Sequence, residues 1–61
     1  MIEGISIDPA VCHGKPVIKG TRVLVSTILG ALAGGDSRED VEGDYAITEE
    51  QISAALQFAS Y

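Results

Sequence analysis

Three of the four basic side chains in this 61-residue sequence, Lys15, Lys19 and Arg22, lie in one acid-free stretch, His13 to Val23 (HGKPVIKGTRV). The remainder sets Arg38 against nine Asp and Glu, and the net charge is −5. A cationic segment on an acidic body suits an anion, and two kinds of anion fit it. Phosphates of a nucleic acid would engage all three cations, with an affinity that falls steeply with salt. Carboxylates of a protein would favour Arg22, whose planar guanidinium pairs them in bidentate fashion. Thr21 beside it offers a hydroxyl for orientation, and Lys19 adds charge. The plain alternative is internal: Arg22 and Lys19 could pair with Asp8 or Asp36 and merely fix the local backbone.

Other reactive side chains are few. Cys12-His13 supplies a thiol and an imidazole, but neighbours in an extended segment point to opposite faces and no third group orients them. One Cys and one His cannot complete a four-ligand zinc site. The glycine–lysine phosphate loop of nucleotide binders is absent, and Glu39, Asp40, Glu42 and Asp44 lack the spacing of a calcium loop. These acids read as a solvated helix face. The sequence therefore points away from an enzyme, with no catalytic residue, metal, cofactor or small-molecule substrate expected.

The elements that position the basic stretch are short. Ile5-Ser6-Ile7 alternates apolar and polar and stops at Asp8-Pro9, a turn signal. Val17-Ile18 and Val23, separated by Lys19-Gly20-Thr21-Arg22, suggest a second extended stretch or irregular hairpin, with Gly14 and Gly20 where the backbone needs positive φ. Val25, Ile28, Leu29, Leu32 and Ala33 mark one face of a first helix, ended by Gly34-Gly35. Gly30 inside it costs about 1 kcal/mol relative to Ala and marks a close approach by another element. A second helix starts at Ser37, where Ser37-x-x-Asp40 is close to a capping box, and is anchored by Val41. A third starts at Thr48, with a Thr48-x-x-Gln51 capping box and an Ile47–Ile52 hydrophobic staple. Its core face reads Ile52, Ala55, Leu56 and Ala59, and a second stripe, Ala54, Phe58 and Tyr61, reads as added core or a contact surface.

A domain this short buries only about 60% of the surface its unfolded chain exposes. Seven alanines and a single Phe give it little bulk for a core. Neither a disulfide nor a metal is available as a staple, so a partner chain is expected, a second copy first. No run approaches the roughly 20 apolar residues of a membrane span, and no signal peptide is expected. With the free thiol, this points to the cytoplasm.

Asp8-Pro9, the stretch from His13 to Val23, Gly35-Asp36-Ser37, Asp44-Tyr45 and Thr48-x-x-Gln51-Ile52-x-Ala54-Ala55-Leu56 closely resemble the domain-of-unknown-function 433 family. The match keeps the family's order over nearly the whole chain, and Gly14-x-Pro16-x-Ile18-x-Gly20-Thr21-Arg22 is its most specific part. The resemblance implies a small prokaryotic protein that is mainly α: a short N-terminal β-hairpin or arm followed by a three-helix, helix-turn-helix-like core. A single domain would span 1–61, with the basic β-arm in 1–23 and the helices in 24–61.

It further implies a type II antitoxin of the VapB kind that neutralises a PIN-like ribonuclease toxin. Such a nuclease holds Mg²⁺ among several carboxylates, and an inserted Arg22 would replace the metal's charge. Lys19, Thr21 and Arg22 would then bind the toxin polar-side, and Ala54, Phe58 and Tyr61 would supply apolar area. The alternative is a DNA-binding autorepressor of helix-turn-helix type, with Lys15, Lys19 and Arg22 on phosphates and Gln51 and Ser53 of the third helix near bases. Glu49 and Glu50 at the start of that helix would repel phosphates, which favours the protein partner.

Overall fold

The computed structural model describes residues 3–60. Strands β1 (Ile5–Ser6) and β2 (Val17–Ile18) pair antiparallel, with Ile5 opposite Ile18 and Ser6 opposite Val17. Leu24 adds an isolated bridge to Val17. Helices α1 (Val25–Ala33), α2 (Arg38–Tyr45) and α3 (Glu49–Ala59) follow and pack on one another. The expected mainly α chain with a short β-arm ahead of three helices is the one observed.

Helix boundaries follow local chemistry. Ser37 Oγ accepts from the Asp40 N–H at 3.0 Å and Asp40 Oδ2 accepts from the Ser37 N–H at 3.4 Å. Thr48 and Gln51 repeat the arrangement at α3, at 3.2 and 2.7 Å. Each capping box satisfies two N–H groups that the helix cannot pair itself. Asp40 thus caps its own helix, and Glu39 and Asp44 point into solvent as a charged face should. The turn between α2 and α3 runs through Ala46 in the left-handed region (φ 55°) without a glycine.

The core is almost wholly β-branched. Ile5, Val17, Ile18, Val25, Ile28, Val41, Ile47, Ile52 and Ala55 are buried, with no aromatic among them. Stiff χ1 angles let such side chains interlock at small entropic cost. Both staple residues, Ile47 and Ile52, belong to it.

One face assignment needs correcting. On α3, Ile52 and Ala55 are buried, but Leu56 is 37% exposed and Ala59 is exposed. Ala54 and Phe58, on the stripe read as added core or a contact surface, pack against the core. The cause is the β-arm: both strands lie on α3 and shift its covered face. Gly4 (φ 90°) comes so close to Ala54 that a Cβ at Gly4 would meet the Ala54 Cβ at 3.2 Å. Ala54 is therefore largely covered by its own chain.

Arg38 ties α2 to α3. Its guanidinium donates to Glu49 Oε1 from Nε at 2.8 Å and to Ser53 Oγ from Nη2 at 2.9 Å, closing an ion pair with Glu49 at 2.6 Å. That hydrogen bond and charge hold the Glu49 carboxyl below, and the Arg38 guanidinium above, their ordinary values. A carboxylate whose folded pKa is lowered stabilises the fold above its unfolded pKa and loses that contribution as pH falls through the folded one. Thermal melts of the protein and of Glu49→Gln are accordingly expected to diverge above the usual carboxylate range and to converge in stronger acid.

Candidate binding site on the β-arm

The basic stretch is built from two turns set against β2. The first is a left-handed turn, in which Cys12 (φ 50°), His13 (φ 58°) and Gly14 (φ 80°) all have positive φ. The N–H groups of Gly14 and Lys15 donate to the Val11 and Cys12 carbonyls at 3.1 and 3.2 Å. Cys12-His13 is thus not the extended segment expected from its sequence, and each non-glycine residue there costs about 1–2 kcal/mol. The approach is braced from behind by Asp8, whose Oδ1 accepts from the Ala10 N–H at 2.9 Å and whose carbonyl accepts from the Val11 N–H at 2.9 Å. The Cys12 thiol is directed to the Arg22 carbonyl at 3.6 Å, while His13 is exposed.

The second turn reverses the chain from Ile18 to Val23. The Thr21 N–H donates to the Ile18 carbonyl at 3.0 Å, around Gly20 with φ 81°. A turn of type II needs a glycine-compatible φ at this third position. The Ile18 N–H closes the turn on the Val23 carbonyl at 2.9 Å, and the Lys19 N–H anchors it to the Gly4 carbonyl at 2.8 Å. Thr21 is its internal clasp: Oγ1 donates to the Ile18 carbonyl at 2.7 Å and accepts from the Val23 N–H at 3.0 Å. Its hydroxyl is fully engaged, so Thr21 positions Arg22 through the backbone. Thr21→Val, which keeps the shape but leaves the Val23 N–H without its acceptor, is expected to cost about 1–3 kcal/mol. A lower melting temperature, restored mostly by Thr21→Ser, is the check.

Arg22 extends from this clasp into solvent. Neither Arg22 nor Lys19 makes an ion pair among the described residues, so the internal pairing with Asp8 or Asp36 is not formed. Arg22 borders a shallow cleft with Ser6, Val11, Val17, Gly20 and Thr21. Lys15 faces a different space, an apolar groove of about 550 Å³ against Pro16, Val25, Leu29 and Phe58. Arg22 and Lys15 therefore border separate recesses. Phe58 is half-buried, with its core side on the hydrophobic cluster and its outer side in the groove. Tyr61 lies outside the described residues.

The side chains expected to read bases are occupied within the fold. Gln51 Oε1 holds the Thr48 N–H, so a bidentate contact to adenine would break the capping box. Ser53 Oγ holds Arg38. The Arg38–Glu49 ion pair, joining residues eleven apart in sequence, carries no local signal in the pattern of charges.

The model of the family described as "Protein of unknown function (DUF433)" matches residues 5–59, nearly the whole chain. The chain belongs to the DUF433 family. A DUF433 member from Anabaena variabilis, known from its crystal structure, superposes with a TM-score of 0.87 at 31% identity, over 93% of this chain and 57% of that one. Two proteins of Mycobacterium tuberculosis are similar in sequence. One is the uncharacterized protein Rv2308, 37% identical over 54 residues, covering 88% of this chain and 23% of that protein. The other is named "Putative antitoxin VapB45", 36% identical over 52 residues, covering 85% and 22%. This DUF433 chain spans less than a quarter of the length of these curated relatives.

Proposed function

We propose that this DUF433 domain is the toxin-binding part of a type II antitoxin and that it neutralises a PIN-like ribonuclease by placing Arg22 among the nuclease's carboxylates. The observation that carries this reading is the state of Arg22: exposed, without an ion pair among the described residues, and held out on a turn clasped by Thr21. A guanidinium kept free in an acidic protein is suited to a carboxylate cluster on another molecule, where it forms paired charge-assisted hydrogen bonds. The relative named as an antitoxin, at 36% identity, supports the same class of function. Lys19 on the same turn adds charge to this contact, and the outer side of Phe58 adds apolar area.

The competing reading, an autorepressor that inserts α3 into DNA, receives less support. Gln51 and Ser53 are engaged internally, and Glu50 remains at the exposed helix start. The test is growth rescue. In cells making a PIN-like ribonuclease encoded beside this chain, co-expression is expected to restore growth. Continued arrest at comparable protein levels would refute the reading.

A further inference from the structure

Arg22 does not stand alone at its cleft. Ile5 and Ile18 turn into the core, so Ser6 and Val17, opposite each other in register, face away from it and form the cleft floor. Val17, only 2% exposed, makes that floor apolar. Val11 closes one side from the left-handed turn, and Gly20, Thr21 and Arg22 close the other. The two sides are joined where the Cys12 thiol meets the Arg22 carbonyl at 3.6 Å. Each side is also held by itself, the first by the Val11 N–H on the Asp8 carbonyl and the second by the Thr21 clasp. The cleft is shaped before any partner arrives, which lowers the ordering cost of binding.

Its polar groups are unequally used. The Thr21 hydroxyl is spent on Ile18 and Val23. The hydroxyl of half-buried Ser6 makes no hydrogen bond among the described residues. No acid lines the cleft, although the chain carries nine. Asp8, two residues from Ser6, is tied through Oδ1 to the Ala10 N–H. On the toxin-binding reading of Arg22, we infer that the cleft seats one carboxylate side chain of the nuclease, held at two points by the Arg22 guanidinium and the Ser6 hydroxyl. Val11 and Val17 lie against its methylene stem. Charge and shape both select this occupant. A guanidinium fork and a hydroxyl donor match the two oxygens of a carboxylate, and the apolar floor matches the stem. A nucleic-acid backbone would call for several cations together, and Lys15 borders the other recess.

Substitutions at Ser6 provide the test. Ser6→Ala removes the hydroxyl, and Ser6→Thr keeps it in a residue well suited to a strand. Titration calorimetry against a catalytically inactive PIN-like ribonuclease is expected to show Ser6→Ala binding about 10-fold more weakly than the parent. Ser6→Thr is expected to stay within about 3-fold of the parent, and both variants to melt with it. In an Arg22→Ala background, Ser6→Ala is expected to cost less than about 3-fold, because two groups holding one carboxylate do not act additively. Arg22-dependent binding that Ser6→Ala leaves at parent strength would overturn the inference while the nuclease reading stands, as would full additivity of the two substitutions. A parent that fails to bind the nuclease would overturn both. DNA retarded at low salt by the parent, and released by Ser6→Ala and by Arg22→Ala, would also overturn the inference and give the cleft to phosphates.

Discussion

Ile52→Ala is expected to leave the domain largely unfolded at room temperature, a loss that urea titration or a thermal melt would register at once. Ile52 is fully buried, packs in the cluster joining both strands to all three helices, and forms the staple at the start of α3. Truncating such a side chain costs about 2–5 kcal/mol, because the transfer energy is lost and a cavity remains. A single core in a domain of this size rarely supplies more than about 3–5 kcal/mol. The two quantities are comparable, so one substitution exhausts the stability. Leu56→Ala, four residues on and 37% exposed, is expected to change the melting temperature only slightly. Equal losses at both positions would contradict the placement of the β-arm on α3.

Arg22→Glu is expected to do the reverse, leaving the melt unchanged and abolishing capture of the proposed nuclease partner. Within the fold the Arg22 side chain forms no ion pair among the described residues, and its backbone carbonyl continues to accept from Cys12 whatever the side chain. At an interface, removing one partner of a buried charge pair costs about 2–5 kcal/mol, roughly 30-fold to several thousand-fold in Kd, and reversing the charge adds repulsion. Isothermal titration against a catalytically inactive nuclease, together with a melt of each variant, measures both sides of the statement. Arg38→Glu makes the contrast: that residue is bound to Glu49 and Ser53, so its loss is expected to lower stability while sparing the nuclease contact.

The helices were legible because their signals are local. A 3.6-residue repeat, a pair of glycines and two capping boxes lie beside the boundaries that they specify, and α1 ends and α2 and α3 begin there. The positive φ of Gly14 and Gly20 was legible for the same reason. What failed to show was set by contacts distant in sequence. The buried face of α3 depends on strands more than thirty residues earlier, so Leu56 read as core and Ala54 stayed open between core and contact surface. The left-handed turn at Cys12-His13 breaks the ordinary preference of both residue types, and hydrogen bonds to Val11 and Asp8 hold it. Of the expected partner contacts, the Arg22 side chain is left free for one. Thr21 turns inward, Ala54 is covered by Gly4, and Gln51 and Ser53 are used within the helical core.

The most direct measurement is RNA cleavage by the PIN-like ribonuclease proposed as partner, purified and titrated with the parent protein and with Arg22→Glu. The parent is expected to suppress cleavage near one binding equivalent, and Arg22→Glu, equally folded, to leave cleavage intact. Suppression by both proteins alike would remove Arg22 from the interface. Cleavage unaffected by either, with promoter DNA retarded at low salt, would contradict the antitoxin reading and give the basic β-arm to DNA.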